Sequence, residues 1–467
     1  MSGRSRWVGV GIIVGAIAVR AAAVLILQSH HVPHSTYEHG EIAASIVEGR
    51  GFSMHFLGAD GPTSQQAPVY PYIVALAYAV GGVEQPAALL ILQLGQAFLG
   101  GLLVLGVIRL ASWVIPDHPA AILTAAALAA FHPTLIYAAT MVQVALPAAT
   151  LLVWVLVWAA RTGASGSYRD ASTTGALLAL TALTDPILGL VGLGAAAAIA
   201  IGKPSEGPRH RRASVLTAAM LGVAFAGMTP WMIRNAIVHG EFVPIKSTFG
   251  YAFWQGNCSI TEGTDKVVRP SVDRILEAPG AATDLATYNQ TLWRARHEAG
   301  YIDDIAFTPE FKAYLGTLPE PERSRVLLRS ALDEIRADPA RYVRLCVRRM
   351  QYFWLFDESN PRTRDPLYRA SHLGLTLMAA LGLALATPAA RRRLAPLVVT
   401  SLALAAFHAL TIVSARFHIP IEPLMAIWAG AGVAGLLARW PARGVTSRSV
   451  GVAAGQVEGV GVVGRLG

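Results

Sequence analysis

Residues 34 to 54, HSTYEHGEIAASIVEGRGFSM, place three acids and two histidines just ahead of a Gly-Arg-Gly break. Glu38 and Glu41 are three positions apart, so on a helix they share a face. A partly desolvated carboxylate is a stronger base than a solvated one, and it can also hold a divalent cation. The chemistry on offer is general-base activation of a hydroxyl or association with a divalent metal ion. His39 lies between the two acids as a further candidate for substrate contact. The same letters also suit an ordinary helix start, with Ser35 or Thr36 as cap and acids in the first turn favoured by the helix dipole. GRGFS then reads as a glycine-permitted turn that sends the chain back on itself.

Further polar residues recur beside apolar runs. In QQAPVYPYIVALAY, Gln65 and Gln66 could meet a sugar hydroxyl, and Tyr70 and Tyr72 suit a membrane interface. In PWMIRNAIVHGEFVPIKSTFGYAFWQGN, Arg234 is an always-charged fork suited to a phosphate, with Asn235 beside it. A snorkelling arginine at a span end is the plain alternative. Trp254 could stack on a sugar ring and Asn257 hydrogen-bond it, although an interfacial tryptophan needs no such role. In SARFHIPIEP, Arg416 is a second phosphate candidate, and His418 is a substrate contact or a packed histidine. His30, His31 and His34 lack a matched carboxylate spacing and read as solvated, so no metal ligands are assigned. Asp185 in LTDP is a group at membrane depth or a helix cap.

What positions these residues follows from composition. The 467 residues are 54% hydrophobic and 14% charged, against roughly a quarter charged in a soluble domain. Apolar runs long enough to cross a ~30 Å hydrocarbon layer recur throughout. The net charge of +9 sits in loops between these runs, which fits the positive-inside rule, and no clustered basic face suggests nucleic acid. The expected fold is an all-α polytopic membrane protein of about ten transmembrane helices with helices in its outer loops. Residues 1–28 form the first span, and 29–85 a first outer loop carrying the acids and a short interface helix. Residues 86–230 form spans two to seven, the last ending near Met228, with a helix pair broken at TDP. Residues 231–368 are a large outer loop containing an amphipathic helix around Val326, Leu327, Ala331 and Ile335. Residues 369–440 hold the final spans, and 441–467 a disordered cytoplasmic tail. Every basic loop then falls on one side, leaving the first loop, the large loop and SARFHIP together on the other.

In this order the motifs resemble the GT-C superfamily of polytopic glycosyltransferases. They are a juxtamembrane acid, GRGFS, PxYP opening an interface helix, PWxxRN…G…WxGN, and ARFHIPIEP. The resemblance is to bacterial relatives of the protein mannosyltransferases and aminoarabinose transferases, and it extends to about Arg439. It implies a GT-C fold in the bacterial plasma membrane with an extracytoplasmic active site. It also implies a sugar donor on a polyprenyl phosphate, engaged by an arginine, and an envelope lipid, glycan or protein as acceptor. The transfer it implies is inverting, with a first-loop carboxylate as base. Here that usual aspartate is Glu38, with Glu41 as rival, and Gln143 stands where relatives commonly carry a second acid. A flippase of lipid-linked saccharide, or an O-antigen ligase or polymerase, would also use such a carrier. A transporter, however, should show broken spans paired between two halves, and only the one at TDP is evident.

Overall fold

The computed structural model describes residues 3–33, 35–202, 209–280 and 282–439. The expected disordered tail at 441–467 lies outside them. The first span, α1 (Gly3–Leu27), leads to α2 (Tyr37–Val47), a hairpin β1 (Ser53–Phe56) and β2 (Ala59–Pro62), and α3 (Val69–Gly81). The strands pair antiparallel, with Ser53 opposite Pro62. The turn at GRGFS puts Gly49 at φ 83° and Gly51 at φ 73°, the left-handed region that glycine enters without penalty. The bundle continues through α4 (Pro86–Val114), α5 (Pro119–Phe131), α6 (Pro133–Tyr137), α7 (Ala145–Ser165), α8 (Tyr168–Thr184), α9 (Val191–Ile201) and α10 (Arg209–His239).

The large loop folds into α11 (Phe249–Asn257), α12 (Ser271–Leu276), α13 (Leu285–Glu298), α14 (Ile302–Ala306), α15 (Pro309–Thr317), α16 (Glu320–Ala337) and α17 (Pro339–Trp354). Helices α18 (Pro366–Leu385), α19 (Pro388–Leu410) and α20 (Glu422–Arg439) close the bundle. The amphipathic pattern of α16 is realised, with Leu327 and Ala331 fully buried against a loop core that includes Trp254, Ile302 and Phe307. The main core runs through α4, α5, α7, α9, α18, α19 and α20.

Six helices among the described residues are long and apolar enough to cross a membrane, or seven if one bent pair is a single span. The chain is an integral membrane protein. By that measure the expected count of about ten is not reached. The apolar run formed by α5 and α6 bends by 50° between them. The stretch Pro186–Ile201 falls short of the roughly 20 residues a crossing needs. The other difference is at PWMIRN, where α10 continues through Pro230 to His239. Its C-terminal half is anchored by side chains: Trp231 Nε1 donates to the Ile245 carbonyl at 3.1 Å, and Asn235 Nδ2 to the same oxygen at 3.0 Å.

The bend between α5 and α6 leaves carbonyls at membrane depth, where an unpaired one costs several kcal/mol. Arg20 of α1 satisfies them, donating to the Ala130 oxygen at 2.7 Å and the Ala129 oxygen at 3.1 Å. Gly100 of α4 makes room for it. A Cβ there would lie 2.4 Å from the Arg20 side chain, so any larger residue would displace the arginine. Gln93 and Gln96 of α4 do the same for the next turn, donating to the carbonyls of Thr140, Ala139 and Met141. The break is therefore held rigid from two neighbouring helices.

Candidate functional site

A cavity of about 490 Å³ opens between α1, α6, α13 and the two turns that flank α18 and α20. One wall is apolar, with Val19, Ala22, Ala23 and Ile26 of α1 and Ile136 of α6. The other carries Arg296, Arg362 and Arg416. None of these three arginines makes an ion pair among the described residues. Nε of Arg362, one of its amino groups and Nε of Arg296 are buried without a hydrogen-bond partner. The two guanidiniums lie over aromatic rings, Arg362 at 4.4 Å from the Tyr137 centroid and Arg296 at 5.4 Å from that of Tyr37. Buried donors without acceptors are unfavourable unless a ligand supplies the acceptor.

The scaffold around this site is hydrogen-bonded throughout. Asn289 of α13 caps the end of α1, donating to the Leu27 carbonyl and to Ser29 Oγ at 2.9 Å each, and accepts from Tyr137 at 2.8 Å. Asp357 accepts from the Ala415 amide at 3.0 Å and from the Ser359 amide and hydroxyl, so it ties the Arg362 turn to the Arg416 turn. Burial pushes its carboxyl up to about 6. Tyr288 of α13 donates to Asp365 at 2.7 Å on the opposite side of the opening.

Tyr37 stacks on Trp293 at 5.9 Å and has φ 48°, unusual for a residue with a side chain. Such strain persists only where the surroundings fix it, often at functional positions. Neither Ser35 nor Thr36 caps α2 with its side chain. The next residue, Glu38, is exposed and has no hydrogen bond or ion pair among the described residues, and it is close enough to raise the pKa of Tyr251 and Tyr301 electrostatically. Glu41 is engaged, its Oε1 accepting from the His55 amide at 2.5 Å and so joining α2 to the hairpin.

His39 is buried edge-on against Tyr70 at 5.0 Å. Burial, with Lys246 and Arg416 nearby, holds its imidazole down to about 3, so it is neutral at ordinary pH. Tyr70 donates to Gln96 at 3.2 Å, and Gln66 accepts from Lys246 at 3.1 Å. The structure thus brings Glu38, His39, Gln66, Tyr70 and Arg416 to one side of the first loop. Arg234 is held elsewhere, donating to the carbonyls of Thr63 at 2.6 Å and Phe52 at 3.1 Å. Asn235 accepts from Ser64 at 2.8 Å. Trp254 stacks on Phe307 at 4.3 Å within the loop core. Asn257 donates to Phe253 and accepts from Arg349 at 2.8 Å each. These four are engaged within the protein and do not line the cavity. His418 packs under Tyr368, 3.2 Å from its hydroxyl. Asp185 caps the turn after TDP through the Ile187 amide at 3.3 Å.

Sequence reasoning passed over Arg296, Arg362, Lys266 and Asp265, which look like surface charges of a polar loop. Lys266 is buried, donates to the Arg296 carbonyl at 2.9 Å, and is pushed down to about 8 chiefly by desolvation. Asp265 is near enough to act on Lys266, Arg296 and Tyr301, so a second carboxylate shares the neighbourhood of Glu38. Only the helical spacing of Arg296 from Trp293 hinted at their placement.

No family model and no curated protein matches the chain in sequence. In three dimensions it is similar to the oligosaccharyltransferase AglB of Archaeoglobus fulgidus in complex with an inhibitory peptide and a dolichol-phosphate. That match has 15% identity and a TM-score of 0.54 over 94% of this chain and 51% of that one. The apo form of the Archaeoglobus fulgidus oligosaccharyltransferase matches with a TM-score of 0.50 and 15% identity over 94% of this chain and 52% of that one. ArnT of Cupriavidus metallidurans bound to undecaprenyl phosphate aligns over 92% of this chain and 78% of that one, at 14% identity and a TM-score of 0.39. The chain spans about half the length of the oligosaccharyltransferase. Its fold is similar to that of these oligosaccharyltransferase structures.

Proposed function

We propose that this protein transfers a sugar from a polyprenyl-phosphate carrier to an acceptor hydroxyl of an envelope lipid, glycan or protein. One observation carries the reading: an apolar cavity beside α1 ends at arginines that have no carboxylate partner among the described residues. An isoprenoid chain fits the first half of that description and its phosphate the second. Guanidiniums bind phosphate through paired N–H donors, and such charge-assisted bonds are about twice as strong as neutral ones. The dolichol-phosphate named with AglB is consistent with such a ligand. In the proposed reaction the acceptor oxygen attacks the anomeric carbon while the bond from that carbon to the phosphate oxygen breaks. The proton passes to Glu38 and polyprenyl phosphate leaves with inversion. Charge accumulates on the departing phosphate, and the preorganised cations lower the barrier there. The polar atoms of Gln65, His39 and Gln143 left without partners among the described residues suit a hydroxyl-rich sugar. Asp265 would take the place of the second acid that Gln143 does not supply.

The binding half is tested by thermal unfolding of the purified protein with polyprenyl phosphate or with the polyprenol of equal length. Only the phosphate should raise the midpoint. Equal shifts, or none, would count against the reading. The basic loops support an extracytoplasmic site in the bacterial plasma membrane. In a background lacking Cys258 and Cys346, cysteines at the exposed positions Asp60 and Thr308 should react with an impermeant thiol reagent in intact cells. One at exposed Asp117 should not, and the reverse pattern would invert the orientation.

A further inference from the structure

Behind the cavity wall, three histidines, two of them distant in sequence, meet around one carboxylate. Glu422 opens α20 and is wholly buried, and neither of its oxygens has a hydrogen-bond partner among the described residues. Nε2 of His132 lies 3.5 Å from its Oε1, Nδ1 of His372 3.4 Å and Nε2 of His418 3.4 Å. Ligand atoms of His132, His372 and Glu422 all fall within 4.8 Å of one another.

These separations are longer than the usual hydrogen bond of about 2.7–3.2 Å. They match the edge of a tetrahedron about a metal held at ~2.0–2.1 Å, which is about 3.3–3.4 Å. An unpartnered carboxylate in a closed interior is strongly unfavourable, so a cation or a proton has to satisfy it. The orientation of His372 agrees. Its Nε2 lies 3.2 Å from the Trp354 carbonyl, to which it donates, leaving the Nδ1 lone pair facing Glu422. A ligand histidine held by a backbone carbonyl through its other nitrogen is the usual arrangement around zinc.

We propose that His132, His372 and Glu422 bind a divalent transition metal of the zinc class, with His418 beside the fourth position. Two neutral imidazoles and one carboxylate suit such an ion better than magnesium or calcium, which prefer oxygen-rich sites. His132 sits at the α5–α6 bend held by Arg20, His372 on α18 one turn after Tyr368, and Glu422 one turn after His418. The ion would tie together three elements whose neighbouring residues Thr134, Tyr368 and Ile419 line the cavity. Its ligands are not Glu38 or Asp265, so the inference stands apart from the transfer chemistry.

The test is elemental analysis of the full-length protein purified without chelator, followed by removal of metal and addition of cobalt(II). About one equivalent of metal per chain is expected, and cobalt should give the intense visible bands of a tetrahedral nitrogen–oxygen site. His132→Ala and Glu422→Gln should lose both signals, whereas His31→Ala, at an exposed position, should keep them. Should a ligand variant fail to fold, the cobalt spectrum and the thermal midpoint of the unaltered protein before and after chelation decide alone. Trace metal unchanged by the variants would mark an adventitious ion and overturn the proposal. A chelation-insensitive midpoint with no cobalt spectrum would mean that a protonated histidine balances Glu422, and would overturn it equally.

Discussion

Glu38→Gln is expected to abolish sugar transfer, by on the order of 10²- to 10⁴-fold, as loss of a general base does. The substitution keeps the shape and removes only the proton acceptor. Glu38 is exposed and uncommitted, next to the strained Tyr37 whose ring lies under Arg296, so its replacement disturbs no internal bond. Glu41→Gln is expected to keep most of the rate, because an amide oxygen can still accept from the His55 amide. Binding of polyprenyl phosphate should be unchanged in both variants. The check is transfer rate at matched expression. A fully active Glu38→Gln beside a dead, folded Glu41→Gln would move the base one turn along α2. Full activity in both would remove the first-loop acids from the mechanism.

The second large effect is expected at the arginines that sequence reasoning overlooked. Arg362→Met and Arg296→Met each remove charge-assisted bonds worth about 1.5–3 kcal/mol, so kcat/KM for the lipid donor should fall roughly 10- to 100-fold apiece. Lysine at either position should recover part of the loss, since it keeps the charge but not the paired donors. Arg325→Met is the control, because that arginine is occupied on the surface of α16 with Glu241 and Glu322. Donor titration of the purified variants gives the answer. Wild-type kinetics in the Arg296→Met, Arg362→Met double variant would remove the cavity from the donor pathway.

What could be read from the sequence was whatever the membrane imposes locally. Long apolar runs and basic loops gave the all-helical bundle and the membrane location, because a lipid environment leaves few alternatives for the backbone. The span count failed where an apolar run is broken or short, as at the α5–α6 bend, since composition does not reveal where Arg20 and two glutamines rescue a bend. The polar candidates divided according to their tertiary partners. Arg234, Asn235, Trp254 and Asn257 carry suitable chemistry, but their donors, acceptors and ring faces are taken up by the protein itself. Arg296 and Arg362 carry the same chemistry but keep buried donors unpaired among the described residues, and nothing local in a polar loop distinguishes the two situations. The histidine cluster was equally hidden. His132 at the α5–α6 break, His372 on α18 and Glu422 on α20 are far apart in sequence, and only the packing of α20 between α5 and α18 brings them together.

The most direct measurement follows a labelled sugar on its carrier. Purified protein in liposomes would receive polyprenyl-phosphate sugar labelled in both the sugar and the lipid, together with an envelope extract as acceptor. Sugar label should leave the lipid fraction with an equal release of polyprenyl phosphate, and Glu38→Gln should stop both. Sugar label that crosses the bilayer while still attached to its carrier, with Glu38→Gln as active as the parent, would identify a flippase and contradict the transferase assignment.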